Sequence, residues 1–283
     1  MTRQEDPAGG GEEREEKVPD TAAEPPSFDT SIAHSARMYD YWLGGKDNYA
    51  ADREAAEQAL AANPNILPGV RANRAFLRRA VQYLAGEAGI RQFLDIGTGL
   101  PTNENTHQVA QAIAPESRVV YVDNDPIVLA HARALLTSTP EGSTDYVEAD
   151  ARDTGTILAE AARTLDFSQP VAVMMLLVLQ YVPDSDSPRE VVSALMGAVP
   201  PGSYLTISDT TADIDGERAA SVAERLNTRM GSARLTMRSR EEIGGFFDGL
   251  DLVDPGLVPL PQWRALFNPG QLINAYAGLG RKP

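Results

Sequence analysis

The sequence predicts an α/β fold, in which helices cover both faces of a mostly parallel sheet and further helices precede it. Two observations lead to this prediction. From residue 91 onward, short apolar runs alternate with amphipathic stretches, and glycine or aspartate turns separate them. Such alternation is typical of β–α–β units with parallel strands. Residues 30–88 show helical spacing without a strand pattern, so we expect a helical segment before the sheet.

The composition narrows the possible partners. The chain has 283 residues, with 25 Lys and Arg against 40 Asp and Glu, so its formal net charge is −15. This charge repels phosphate backbones and anionic lipids, so we expect neither nucleic acid nor a membrane as the main partner. The chain has no cysteine and three histidines, which excludes thiolate chemistry and argues against a metal site. No apolar signal core or membrane-spanning segment is present, and we expect a cytoplasmic protein.

Three segments are predicted along the chain. Residues 1–28 are rich in Glu, Pro and Gly and lack large apolar side chains, which predicts a disordered acidic tail. Residues 29–88 are predicted to form a helical cap or lid, in which an alanine-rich helix stops at Asn63-Pro64. A second helix of this segment has apolar residues at helical spacing: Val70, Leu77, Val81 and Leu84. Residues 89–283 are predicted to form the ligand-binding domain.

Seven strands are predicted in the third segment: QFLDI, RVVYVD, DYVEA, VAVMMLL, SYLTIS, LDLVDPGLV and LINAYAGLG. Several helix starts are also predicted from side chains that can cap them. Ser187 with Glu190, and Ser239 with Glu242, have the spacing of a capping box. Asp125 precedes Pro126 and is predicted to cap the next helix, and Asn103 is a candidate cap after the first strand.

The first strand-to-helix turn, in FLDIGTGLPTNENTH, predicts the ligand. In open α/β sheets, ligands bind beyond the carboxyl ends of the strands, and Gly97 and Gly99 let a ligand approach the backbone there. A pyrophosphate would favour a third glycine at position 102, but the sequence has Pro101 and Thr102. Asp95 suits an ammonium group better than a pyrophosphate.

The next two strand ends favour a nucleoside. Asp123 ends the second strand, where a carboxylate can accept hydrogen bonds from both ribose hydroxyls. Asp150, with Ala151 beside it, ends the third strand and can hold an adenine amino group. A helix N-terminus after the glycine turn can bind an anionic group. A ligand that combines an ammonium, a carboxylate and a nucleoside is S-adenosylmethionine (SAM).

The segments LDIGTGLPT, VVYVDNDP and YVEADARD resemble the first three motifs of class I SAM-dependent methyltransferases. Further segments strengthen the resemblance: SARMYDYWLGGKDNYAADRE, PGVRANRAFLRRAVQYL, LPTNENTHQVAQ and AYAGLGRKP. Residues 30–283 thus resemble an actinobacterial family of SAM-dependent methyltransferases that was formerly a domain of unknown function. The resemblance implies a Rossmann-like, seven-stranded methyltransferase fold and a SAM site. In this family Pro101 is a normal departure from a glycine-rich motif.

The candidate cofactor-binding residues are Asp95, Ile96, Gly97, Thr98, Gly99, Asp123, Asn124, Asp150, Ala151, Arg152 and Leu176. The candidates for the lid and the acceptor site are Tyr39, Lys46, Asn48, Tyr49, Arg74, Gln180 and Tyr181. The aromatic ones can attract a sulfonium, and Arg74 can clamp a carboxylate. Packing against the domain explains Trp42 and Leu43 better than a role in the lid does. His107 suits a structural role better than a catalytic one. No catalytic base is assigned.

Three functions fit these observations. A methyltransferase that acts on a small molecule is favoured by the acidic composition and the helical cap. A SAM-binding sensor without transfer activity is the alternative, since no base is evident. A nicotinamide-dependent oxidoreductase is disfavoured by the missing third glycine.

Overall fold

A computed structural model describes residues 1–2, 29–102, 104–135, 137–230, 234–266 and 273–283. The predicted tail, residues 1–28, therefore lies almost entirely outside the described residues. The described strands form one sheet. In chain order they are β1 (Gln92–Ile96), β2 (Arg118–Asp123), β3 (Ser143–Glu148), β4 (Ala172–Leu176), β5 (Tyr204–Thr210), β6 (Asp251–Leu252), β7 (Val258–Pro259) and β8 (Ala275–Arg281).

The sheet order is β3-β2-β1-β4-β5-β8-β6, and β7 also pairs with β8. The first five strands are parallel, whereas β8 runs antiparallel to its neighbours β5, β6 and β7. The strand order reverses between β1 and β4, because β2 and β3 lie on one side of β1 and β4 on the other. Such a reversal opens a crevice beyond the carboxyl ends of the strands.

Nine helices are described alongside the sheet. They are α1 (Ser35–Trp42), α2 (Ala50–Ala62), α3 (Ile66–Gln82), α4 (Thr106–Gln111), α5 (Pro126–Leu135), α6 (Thr154–Ala161), α7 (Pro188–Gly197), α8 (Gly216–Asn227) and α9 (Arg240–Gly244). A π-helical turn, Tyr83–Glu87, continues α3. No helix within the described ranges is long and apolar enough to cross a membrane.

Side chains alternate across the sheet and build a core on each face, as the period of a strand requires. Leu94, on one face of β1, packs in a cluster with Ile157 of α6 and Leu195 of α7. Phe93, on the other face, packs with Phe76 of α3 and with Trp263. The helical spacing predicted for α3 is confirmed, since Val70, Leu77, Val81 and Leu84 are all buried. α3 thus packs directly on the sheet.

The rest of the cap packs on a helix from the far end of the chain. Met38 of α1 and Ala56 of α2 share a buried cluster with Val222 and Leu226 of α8. Ala36 of α1 also packs against α5. The first two helices are therefore held between α8 on one side and α5 on the other.

The structure corrects two sequence predictions of local structure. LDLVDPGLV was predicted as one strand but forms two short ones, β6 and β7, so the part of the sheet that the structure describes has eight strands. Pro255 lacks an N–H group and Gly256 has φ +84°, and the chain turns there between β6 and β7. Ser187 does not cap α7 through its side chain, because its backbone is left-handed (φ 51°) and Glu190 N donates to the Ser187 carbonyl instead.

Other predicted helix starts are confirmed. Ser239 and Glu242 form the predicted capping box of α9. Asp125 caps α5, since its Oδ1 accepts from the N–H of Ile127 at 2.9 Å. Asn103 lies outside the described residues, and Asn105 with Gln108 forms the capping box of α4.

Candidate functional site

A cavity of about 420 Å³ lies where the carboxyl ends of the strands face the cap. Its floor includes Asp95 of β1, Asp123 of β2, Asp150 after β3, Leu176 of β4 and Thr210 of β5. Its roof comes from α1, α3 and α8. The cavity thus occupies the crevice that the reversal of the strand order creates.

The two glycines of the first turn are needed for different reasons. Gly97 and Gly99 both have positive φ, +72° and +67°, which favours glycine. A side chain at Gly97 would overlap Val178, so this glycine permits the loop after β4 to pack on the turn. A side chain at Gly99 would meet no atom within 4 Å, so the backbone there borders open space. Of the two positions, Gly99 presents bare backbone to the cavity.

Asp123 holds the glycine turn and the following turn together. Its Oδ2 accepts from the N–H of Gly99 at 2.8 Å, and its Oδ1 accepts from the N–H of Asp125 at 3.0 Å. The side chain is 6% exposed, and burial raises its pKa. Each carboxylate oxygen has a second lone pair, so the group can accept further bonds from a ligand.

Asp95 is a buried carboxyl beside the cavity. It is 5% exposed and accepts a hydrogen bond from Oγ1 of Thr106, the first residue of α4, at 2.6 Å. Burial raises its pKa to about 6, although Thr106 and the charge of Arg74 oppose the shift. A ligand cation at this position would therefore favour the ionised form.

Asp150 and Arg152 form a bidentate pair at the end of β3. Nε and Nη2 of Arg152 donate to the two oxygens of Asp150 at 2.7 and 2.6 Å, and Nη1 donates to Asp186 at 2.6 Å. Hydrogen bonds from Arg152 lower the pKa of Asp150. Asp150 thus stays ionised, and Arg152 fixes its orientation.

Every predicted cofactor-binding residue lines the cavity: Asp95, Ile96, Gly97, Thr98, Gly99, Asp123, Asn124, Asp150, Ala151, Arg152 and Leu176. Among the predicted lid and acceptor residues, Tyr39, Arg74, Gln180 and Tyr181 also line it. Asp125 does not, which agrees with its role as a cap. The strand ends therefore bring together the residues that the sequence placed at them.

The other three predicted lid residues, Lys46, Asn48 and Tyr49, do not line this cavity. Lys46 is exposed, and Tyr49 packs against the cluster that joins α1 to α5. Asn48 is buried because its amide donates to Oδ2 of Asp40 at 2.8 Å and to the Gly45 carbonyl. The chain turns at Gly44, whose φ is +82°, and the residues after the turn leave the cavity.

Tyr39 and Trp42 are the aromatic residues of α1 that reach the cavity. The Tyr39 hydroxyl donates to the Val70 carbonyl and accepts from the amide of Asn73, both at 3.2 Å. The Trp42 indole donates to the Ala56 carbonyl at 3.3 Å, so its ring is fixed by packing as well. These contacts tie α1 to α2 and α3 at the roof of the cavity.

The loop after β4 supplies polar groups to the opposite wall. Leu177 has φ +55°, an unfavourable value for leucine, and its N–H donates to the Ser208 carbonyl at 2.8 Å. Gln180 is 6% exposed, and Oε1 of its side chain has no hydrogen-bond partner among the described residues. Burial raises the pKa of Tyr181 to about 12, so its hydroxyl is protonated near neutral pH.

Several cavity residues were not predicted from the sequence, among them His34, Asn73, Thr210, Val222, Leu226 and Asn274. Val222 and Leu226 lie on one face of α8, four residues apart, together with Ala219. This helical spacing was visible in the sequence and could have identified α8 as a packed helix. Its position over the cavity depends on long-range packing with α2, which spacing does not reveal.

Three buried charged residues, Arg37, Asp52 and Asp125, join the cap to the turn after β2. Arg37 of α1 lies 3.2 Å from Oδ1 of Asp52 and 3.9 Å from Oδ2 of Asp125. The imidazole of His34 lies 3.2 Å from the same Asp125 oxygen. Asp52 also accepts from the N–H groups of His34 and Tyr49. The cap is thus fixed to the turn that carries Asp123.

Solved structures with high similarity come from two actinobacteria. A DUF574 family protein from Streptomyces avermitilis is 46% identical, with a TM-score of 0.87, over 90% of this chain and 99% of that one. A candidate methyltransferase from Thermobifida fusca is 41% identical, with a TM-score of 0.82, over 93% of this chain and 99% of that one. A comparison with curated proteins gave no match.

A more distant structure shares the fold alone. It is the plantazolicin methyltransferase BpumL in complex with SAH, 11% identical, with a TM-score of 0.50 over 88% of this chain and 95% of that one. The sheet and the helices described above have the class I methyltransferase architecture. A family model described as S-adenosyl methyltransferase matches residues 21–283. The chain therefore belongs to the S-adenosyl methyltransferase family and is a SAM-dependent methyltransferase.

Proposed function

We propose that this methyltransferase transfers the methyl group of SAM to a small molecule that binds in the cavity between the cap and the sheet. The observation that supports the proposal most directly is the position of the cavity. It is about 420 Å³ and is roofed by α1, α3 and α8. Small-molecule sites have volumes of about 300–1,000 Å³, whereas a folded protein or a duplex needs an open surface.

The lining of the cavity fits SAM, and each part of the cofactor has a matching group. Asp95 is the partner of the ammonium, and Arg74 is the partner of the carboxylate. Asp123 is the acceptor for the ribose hydroxyls, and Asp150 is the acceptor for the adenine amino group. The open space beside Gly99 lets a ligand approach the backbone. When bound, SAM supplies a methyl group on a positively charged sulfur.

The residues around the reaction centre mainly position and shield it. Leu176 and Val178 form an apolar wall that excludes water. The Tyr181 hydroxyl stays protonated near neutral pH and is therefore not a base. Alignment of the acceptor with the methyl group is then the main contribution of the protein to the rate.

Transfer of a radiolabelled methyl group tests the proposal. The full chain would be incubated with labelled SAM and, in separate reactions, with a panel of phenols and amines, with total protein and with total nucleic acid. We expect label in the small-molecule reactions alone. Label in protein or nucleic acid would refute the small-molecule acceptor. SAM binding without transfer to any of the three would favour the sensor function instead.

A further inference from the structure

The cavity has two parts with different chemistry. All charged lining residues that the structure describes lie on the side of β1, β2 and β3 or pair with residues there. Arg74 donates to the Glu104 carbonyl near Asp95, the imidazole of His34 lies 3.2 Å from Asp125, and Asp186 pairs with Arg152. This side carries the groups proposed above to hold SAM.

The other side is a neutral chamber, which we define by six lining residues: Trp42, Ile66, Tyr181, Val222, Leu226 and Met237. All six belong to or pack against one hydrophobic cluster, so they lie close together. None is charged. The chamber therefore buries apolar surface of a ligand but offers a charged group no ion-pair partner among its described residues.

A buried arginine near the chamber does not change its neutral character. Arg238 follows Met237 along the chain and is 3% exposed, but it does not line the cavity. Its guanidinium donates to the carbonyls of Leu179 and Val182 and to the carboxylates of Asp184 and Asp209. Its charge is therefore compensated within the protein.

Two lining residues place unpaired polar atoms next to this chamber. Among the described residues, Oε1 of Gln180 and Oγ1 of Thr210 have no hydrogen-bond partner, although both atoms are shielded from solvent. The backbone carbonyls of Gln180 and Thr210 accept from the N–H groups of Thr236 and Arg238. Both residues therefore lie beside the segment that contains Met237 of the chamber. The Gln180 side chain also forms a hydrogen bond with the Tyr181 hydroxyl, which orients the amide and leaves its Oε1 as the acceptor for a ligand.

The polar side chains nearby already have partners. Asn73 donates to Tyr39 and accepts from Ser208, and Asn63 accepts from the N–H of Asn65. The amide of Asn274 donates to the Asp215 carbonyl. A ligand group that meets the unpaired Gln180 oxygen must be a hydrogen-bond donor, since a carbonyl oxygen only accepts.

We infer that the methyl acceptor is an uncharged, mostly apolar small molecule that carries a hydroxyl or an aromatic amine group, bound in the neutral chamber with this group at Gln180. The inference rests on the proposed function and narrows its substrate class. A charged acceptor would lose its hydration in the chamber without gaining a partner there. An acceptor without a donor would leave the Gln180 oxygen unpaired.

Binding of three matched probes tests this inference without relying on turnover. The full chain, saturated with S-adenosylhomocysteine, would be titrated with 2-naphthol, 2-methoxynaphthalene and 2-naphthoate by calorimetry or ligand-observed NMR. We expect 2-naphthol to bind about tenfold more tightly than either analogue, equivalent to about 1.4 kcal/mol. In Gln180→Leu, the preference over 2-methoxynaphthalene should disappear.

A charge introduced into the chamber provides the control. Val222→Lys should abolish binding of 2-naphthol, whereas Ala220→Lys, at an exposed position of the same helix, should leave it unchanged. Since Val222→Lys can also unfold the cap cluster, its melting temperature is measured, and Gln180→Leu provides the independent test.

The outcomes separate the inference from the proposed function. If 2-naphthoate binds as tightly as 2-naphthol, or if Gln180→Leu keeps the preference for the hydroxyl, the inference is overturned while a small-molecule acceptor remains proposed. Failure of 2-naphthol to bind at millimolar concentration also overturns it. Label in protein or nucleic acid in the transfer assay would instead overturn the proposed function.

Discussion

Acidification below pH 6 should weaken binding of S-adenosylhomocysteine, because Asp95 must be ionised to pair with the ligand's ammonium group. Burial raises the pKa of Asp95 from 3.8 to about 6 in the free protein. A cation beside it lowers that pKa in the complex. Affinity is therefore close to its maximum at pH 7 and above, and it is lost as the pH falls through about 6.

The magnitude follows from the ionised fraction of Asp95. With a pKa of about 6, the carboxylate accounts for about 90% of the protein at pH 7 and about 10% at pH 5. Affinity should fall about tenfold over this range, or about 1.4 kcal/mol. At pH 6, binding should release about half a proton into the buffer.

Calorimetry at pH 7, 6 and 5, in buffers with different ionisation enthalpies, measures both the affinity and the released protons. Asp95→Asn should bind more weakly at pH 7 and lose most of the pH dependence. Asp150→Asn is the matched control, because Arg152 lowers the pKa of Asp150 and keeps it ionised throughout. Circular dichroism verifies the fold at pH 5.

Two results would refute this reasoning. One is that the affinity for S-adenosylhomocysteine does not change between pH 7 and pH 5 and that its binding releases no proton. The other is an Asp95→Asn variant that keeps the wild-type pH dependence. The second result would assign the titration to another cavity group, of which Asp123 is the first candidate, since burial also raises its pKa.

Three further predictions concern affinity and stability. Asp123→Ala should lower affinity for S-adenosylhomocysteine by about 2–4 kcal/mol, and Asp123→Asn by less; equal affinity by calorimetry would contradict this. Arg37→Met removes the charged partner of the buried Asp52 and should lower the free energy of unfolding by about 3–5 kcal/mol in a denaturant titration. A loss below about 1 kcal/mol would contradict this prediction. Gly97→Ala should destabilise more than Gly99→Ala, because only the former overlaps Val178; thermal melts that rank them the other way would be inconsistent.

The cofactor side of the cavity could be predicted because it depends on local sequence. Asp95 lies one residue before the end of β1, Asp123 ends β2 and Asp150 follows β3, and the carboxyl ends of parallel strands meet at one edge of the sheet. Their positions relative to the strand thus determine their position in space. No knowledge of distant packing was needed to place them together.

The roof of the cavity could not be predicted in the same way. Tyr39 lines the cavity and Tyr49 does not, although both lie in one aromatic segment. A turn at Gly44 separates them, and Asp40 then binds the backbone of Asp47 and the side chain of Asn48. The direction of the chain after such a turn depends on these buried hydrogen bonds, which residue composition does not reveal.

The contacts of the cap also bear on whether it opens as a lid. Arg37 is 4% exposed and lies 3.2 Å from the fully buried Asp52 and 3.9 Å from Asp125, whose N–H is bound by Asp123. Lifting α1 and α2 together away from the sheet would separate Arg37 from Asp125, and leaving a buried charge unpaired costs about 3–5 kcal/mol. The same movement would expose the apolar contacts between α1 and α5. These terms favour a cap that stays docked on the turn after β2, so that the roof and the Asp123 carboxylate form one preorganised unit.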